Sequence, residues 1–211
     1  MSAQRRPVLV LVGPPGAGKT TVGRVLARRL GVEFTDADAL IVARAGCSIA
    51  DIFLHDGEDA FRALEREVVA EALTSTDGVL ALGGGAVLAA STRELLRGHR
   101  AVHLSVGLAD GMRRTGMSTA RPLLVGVNPR ATFKALLDAR VPLYREVATA
   151  EVDTVRRSVN QVVRAVLSAI GELPADAPRE PVDPADPLDN PTPHAGTPLP
   201  DPTVRWPPDP A

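Results

Sequence analysis

The octapeptide Gly13-Pro14-Pro15-Gly16-Ala17-Gly18-Lys19-Thr20 constrains this chain more than any other stretch, because it sits between two segments of different periodicity. Before it, Val8 to Val12 is continuously apolar and rich in valine, the pattern of a strand covered on both faces. After it, Thr20 to Leu30 places Val22, Val25, Leu26 and Leu30 on one helical face, and Gly31 closes the helix. A GxxxxGK[ST] loop between strand and helix is a phosphate cradle. Its glycines let backbone amides turn inward around phosphate oxygens, and the helix N-terminus adds positive potential. Lys19 neutralises the β- and γ-phosphates, and the Thr20 hydroxyl can ligate magnesium. Gly16, Ala17, Gly18, Lys19, Thr20 and Thr21 are therefore the expected contacts to the phosphates of a nucleotide.

The alternation continues along the chain. Short strands are expected at Glu33 to Thr35, Val79 to Leu82, Ala101 to Ser105 and Val152 to Val155. Helices are expected at Ser48 to Leu54, Glu58 to Thr74, Thr92 to Leu96, Leu108 to Arg114 and Val159 to Ile170. Ser48, three residues before Asp51, makes a near capping box. Pro129 opens a helix to about Ala139, with a second piece past Pro142. Gly116 to Asn128 has no clean periodicity and reads as a mobile loop. Strands alternating with helices imply an α/β fold, a P-loop NTPase-type three-layer sandwich around a central parallel sheet, with ligands at the carboxyl ends of the strands.

Composition separates a core, residues 1 to 171, from a tail, residues 172 to 211. The tail holds 13 of the 19 prolines and eight acids against two arginines, too few apolar residues to offset its ordering entropy. The core keeps 22 basic and 17 acidic residues, a mild bias toward anionic ligands. No basic run interleaved with aromatics suggests a nucleic-acid face, and no apolar run is long enough for a signal peptide or a membrane span. Cys47 stands alone, so an internal disulfide and a multi-cysteine zinc site are excluded and a reducing, cytoplasmic setting is expected.

The chain lacks the NKxD base reader of a GTPase. The strand that would end in a magnesium-binding acid in a motor-type ATPase instead runs into Gly83-Gly84-Gly85. Carboxylates come from Asp36 and Asp38, at the end of the second strand, where alternation puts both on one side of an extended stretch. One would serve the magnesium shell and the other would hold an acceptor hydroxyl. Alternatively, Asp38 simply caps a helix from Ala39 to Ala45.

Together these segments resemble the shikimate kinases, small phosphoryl-transfer enzymes of aromatic amino-acid biosynthesis, and among them the actinobacterial members. The residues that carry the resemblance are Gly13 to Thr21, Asp36-Ala37-Asp38, Ser48 to Phe53, Asp56-Gly57-Glu58, Phe61 to Glu65, Gly83 to Val87, Arg121 to Leu124 and Arg140 to Tyr144. They occur in the family's order over about Val8 to Ile170. The resemblance implies a substrate-binding helical segment at about 37–66 and a lid at about 116–128. It further implies that Asp38 contacts the shikimate hydroxyl that is phosphorylated, that Arg62 and Arg140 grip the substrate carboxylate, and that Gly84, between Gly83 and Gly85, meets the substrate through its backbone. A planar guanidinium fork suits a carboxylate in a way that lysine does not.

Arg121 resembles the lid arginine that reaches the transferring phosphate, so Lys19, Asp38 and Arg121 form the implied catalytic set. Arg114 and Arg157 resemble the nucleotide-side arginines, although Ser158-Val159 stands where the family often has a proline, which leaves the adenine contacts open. Asp36 is expected behind a single Mg²⁺ held by Thr20. A monomer is implied. The alternatives are a gluconate-type or nucleoside-monophosphate kinase on the same scaffold, or a nucleotide-regulated binding module.

Overall fold

The computed structural model describes residues 7–115 and 128–172. Five parallel strands form one sheet in the order β2-β3-β1-β4-β5. They are β1 (Leu9–Val12), β2 (Phe34–Asp36), β3 (Val79–Ala81), β4 (Ala101–Ser105) and β5 (Ala150–Asp153). The central strand β1 is buried throughout, as its unbroken apolar run requires. It pairs with β3 on one side and β4 on the other, so the chain reverses its direction of travel across the sheet at β1. The phosphate loop leaves from that point, where open parallel sheets leave a crevice for ligands.

Helices α1 (Lys19–Leu30) and α8 (Val159–Ala169) pack together, and Val22, Val25 and Leu26 of the first and Val162, Val163 and Val166 of the second are buried. Gly31, at φ 68°, ends α1 with its N–H on the carbonyls of Ala27 and Arg28. Within α1, a side chain at Gly23 would collide with the ring of Phe34, so this glycine lets α1 lie close against β2. The remaining helices are α2 (Ala37–Ala45), α3 (Ile49–His55), α4 (Gly57–Ser75), α5 (Ala90–Leu96), α6 (Leu108–Thr115) and α7 (Pro129–Val147). One apolar core joins Val10, Val12, Leu80 and Leu82 of the sheet region to Val69 and Leu73 of α4 and to Tyr144 and Val147 of α7. A smaller one, Ile41, Ile52, Phe61 and Val68, holds α2, α3 and α4 together.

Several boundaries differ from expectation, each for a local reason. Helix α7 is one piece with Pro142 inside it. An interior proline costs about 3 kcal/mol through its missing N–H and ring clash, and burial of Phe133, Tyr144 and Val147 along the same helix offsets it. The last strand lies at Ala150–Asp153 rather than Val152 to Val155, because Val102 pairs with Ala150 and Ser105 with Asp153. Helix α2 begins at Ala37, so Asp38 lies inside its first turn and the two acids do not share an extended stretch. The N-cap of α2 is Asp36, which accepts from the Asp38 N–H at 3.1 Å, and Asp38 is not the cap residue. Ser48 and Asp51 form a complete capping box on α3, as do Ser158 and Gln161 on α8. Among the described residues no helix is long and apolar enough to cross a membrane.

Candidate active site

A cleft of about 460 Å³ opens above the carboxyl ends of β1, β2 and β3. One end is the phosphate loop. Gly16 and Gly18 lie at φ 77° and 88°, and Gly18 caps α1 without a side chain, leaving its first N–H groups aimed into the cleft. The Lys19 ammonium folds back onto the carbonyls of Gly13 at 2.7 Å and Pro14 at 3.1 Å, contacts a phosphate would compete for. Thr20 and Thr21 line the cleft beside it, while Ala17, within the loop, is buried and is not among the cleft-lining residues.

Thr20 donates its hydroxyl proton to Asp36 at 2.8 Å. That bond leaves the lone pairs of the Thr20 oxygen facing away from Asp36. Because Asp36 spends its other oxygen on the Asp38 N–H, both of its acceptors are engaged by protein. A hard oxygen oriented by a carboxylate behind it suits a Mg²⁺ ion that takes most of its ligands from phosphate and water.

The other end is built from α4, α7 and the turn after β3. Arg62 bonds Glu65 at 2.5 Å and Glu58 at 3.2 Å, with its side chain mostly buried. Glu65 is 4% exposed, and burial pushes its carboxyl above the usual carboxylate range, with the Arg62 charge opposing and the Asp38 charge adding to the rise. Arg140 donates to the Gly84 carbonyl at 3.1 Å. Tyr144, one helical turn further on, donates to the same oxygen at 2.5 Å.

The three glycines explain why this strand ends in bare backbone. None of them is among the residues with positive φ. What each supplies is space. A Cβ on Gly83 would sit 2.7 Å from Asp38 Oδ1 and 2.9 Å from Glu65 Oε1, and one on Gly85 would fall onto the Arg62 guanidinium. One on Gly84 would approach Pro15 of the phosphate loop to 3.0 Å. The turn is thus the shared floor of Asp38, Glu65, Arg62 and the phosphate loop, and a side chain at Gly83 or Gly85 would displace one of these charged groups.

The cleft therefore unites Gly16, Gly18, Lys19, Thr20, Asp36, Asp38, Arg62, Gly83, Gly84, Gly85, Arg114 and Arg140. Arg114 is anchored on Thr154 through Oγ1 at 3.0 Å and the carbonyl at 2.8 Å, which holds it beside Gly16. Arg157 is exposed and is not among the cleft-lining residues. Arg121 and the rest of 116–127 lie outside the described residues, as does the chain after Glu172. Reading by motif missed the part played by Glu65 and Tyr144, and the apolar wall of Ile49, Phe53 and Phe61. The available signals were Glu65 three residues after Arg62 and Tyr144 four after Arg140, spacings that share a helical face.

A parallel α/β sheet with a phosphate loop at its switch point, facing two arginines and an aspartate across one small cleft, defines the class: a P-loop small-molecule kinase. The shikimate kinase family model matches residues 15–171. Shikimate kinase of Saccharopolyspora erythraea is 68% identical over 148 residues, 70% of this chain and 85% of that protein. The Thermobifida fusca enzyme is 57% identical over 170 residues, 81% of this chain and 96% of its own. Among solved structures, shikimate kinase from Acinetobacter baumannii in complex with shikimate superposes with a TM-score of 0.76 at 40% identity, covering 79% of this chain and 93% of that one. The chain belongs to the shikimate kinase family.

Proposed function

We propose that the chain transfers the γ-phosphoryl group of ATP to the 3-hydroxyl of shikimate, giving shikimate 3-phosphate and ADP in the shikimate pathway. The observation that carries this reading is the polarity of the cleft. A triphosphate cradle occupies one end, two guanidinium groups on a glycine floor occupy the other, and Asp38 lies against that floor at Gly83. A compact acid bearing a hydroxyl fits between them, its carboxylate toward Arg62 and Arg140 and its hydroxyl toward Asp38.

In this reading Lys19 neutralises the transferring phosphate, and Asp38 orients the hydroxyl and takes its proton. The work is mostly positioning and electrostatics, since a loose phosphoryl transition state leaves little covalent chemistry to the protein. One Mg²⁺, held by the Thr20 hydroxyl with Asp36 behind it, would supply charge neutralisation between the β- and γ-phosphates. Arg121 joins the set on the family resemblance, as the arginine that closes over the phosphate. Arg114 belongs to the nucleotide side because its anchor places it beside Gly16. Arg157 keeps a nucleotide role only through the resemblance. A monomeric enzyme is proposed on the family resemblance alone.

A coupled ADP-release assay tests the reading. Release should depend on shikimate and be far weaker with gluconate or a nucleoside monophosphate. Equal or faster release with those acceptors, or ATP binding with no acceptor dependence, would overturn it.

A further inference from the structure

Resting on that reading, we propose that Tyr144 is a positioning residue for the acceptor carboxylate. Its hydroxyl holds the Gly84 carbonyl so that the Arg140 guanidinium is free to turn to the substrate. The two side chains share one acceptor: Tyr144 donates to Gly84 O at 2.5 Å and Arg140 at 3.1 Å. A carbonyl oxygen has two lone pairs, and both are taken before substrate arrives. An incoming carboxylate competes for Arg140. Were Arg140 the carbonyl's only partner, that exchange would strand a polar group in the floor of the site, a penalty that weakens acceptor binding. With Tyr144 in place the carbonyl stays satisfied throughout.

The support under Tyr144 is rigid. Its side chain is fully buried, and the ring stacks on the fully buried His103 with centroids 5.1 Å apart. Burial pushes the phenol well above its usual range, so it remains a donor at any working pH, with the Arg140 charge opposing that rise. On the other side of Gly84 stands Pro15 of the phosphate loop. Tyr144 therefore clamps the point where the acceptor floor meets the nucleotide loop. Packing alone would be served equally by phenylalanine; only the hydroxyl performs the exchange.

The test is Tyr144→Phe, which keeps the ring. The KM for shikimate should rise about threefold to tenfold, the factor one neutral hydrogen bond carries, while kcat and the KM for ATP stay within about twofold. In an Arg140→Lys background the same change should raise KM little further, because the residue it serves is gone. A purely structural role predicts equal effects in both backgrounds, and that result, or an unchanged KM in the single variant, overturns the proposal. Tyr144 is the only tyrosine in the chain, so growth on 3-fluorotyrosine labels this position alone. Its ¹⁹F resonance should shift when shikimate saturates the otherwise unaltered enzyme and stay put with shikimate in Arg140→Lys. No shift in the former sinks the proposal even if the phenylalanine variant fails to fold. Shikimate-dependent ADP release by the unsubstituted chain is measured alongside, so failure of the parent reading is seen separately.

Discussion

At the nucleotide end of the cleft, Gly16 and Gly18 adopt the left-handed backbone at φ 77° and 88°; at the acceptor end, Gly85 lies at an ordinary φ of −100°. Both ends are glycine-rich, but the first uses glycine for conformation and the second for room. The phosphate loop presents main-chain N–H groups to an anion, so it recognises any triphosphate. The acceptor floor presents side chains, Asp38, Glu65, Arg62 and Arg140, and a single carbon added at Gly83 or Gly85 would collide with the Asp38, Glu65 or Arg62 side chains. Recognition by backbone is general, whereas recognition by crowded side chains selects one shape. Mutations at the two ends should accordingly separate nucleotide affinity from acceptor use.

The largest separation is expected for Asp38→Asn. The amide keeps the shape but loses the base, and turnover should fall about a thousandfold, within the range for general-base catalysis. ATP affinity, measured by calorimetry, should change little because the phosphate loop is untouched. Near-normal turnover would remove Asp38 from the role given to it.

Gly85→Ala comes next. Its methyl group must push the Arg62 guanidinium aside, and a misplacement of about 1 Å at a positioning group costs about a hundredfold in kcat/KM for the acceptor. Gly84→Ala should be milder, because the 3.0 Å neighbour is a Pro15 ring carbon that can shift by a few tenths of an ångström. If the order is reversed, the floor is limited by the phosphate loop rather than by Arg62. Arg140→Lys follows, trading a bidentate fork for a point charge. About 1.5 to 3 kcal/mol is the scale for hydrogen bonds to charged groups, or about ten- to a hundredfold in the KM for shikimate.

The same contrast sets what could be read before any coordinates. The phosphate loop is a local motif whose strand and helix neighbours are contiguous in sequence, and every one of its predicted contacts except the buried Ala17 lines the cleft. The acceptor end is assembled from α2, α4, α7 and the turn after β3. That Asp38 and Arg62 would share one cleft was legible from family pattern, but the packing around Gly83 to Gly85 was not, since Tyr144 and Gly84 meet across 60 residues. The placement of Asp36 as cap and Asp38 inside the helix was missed because either aspartate can cap. Only the contacts of Asp36 with Thr20 and the Asp38 N–H decide between them. Pro142 was misread as a break because proline's local cost is visible in sequence and the burial that offsets it is not.

The smallest effect expected is on stability rather than turnover, and it tests the crowding directly. Glu65 is buried beside Arg62, and desolvation raises its carboxyl above the ordinary value despite that partner. The folded chain thus binds this proton more tightly than the unfolded chain does. The associated stability is full below the unfolded value, about pH 4.3, and is lost as pH rises through the folded value. Glu65→Gln does not titrate, so its melting temperature relative to the unsubstituted chain should improve as pH rises above the unfolded carboxyl value of about 4.3, and level off once the folded value is passed. The phosphate-loop end contributes nothing to that slope in the comparison, because its groups are common to both proteins. A difference that is flat with pH, or that moves against the glutamine as pH rises, would mean that the Arg62 charge outweighs desolvation. The acceptor floor would then be held by charge pairing rather than limited by burial.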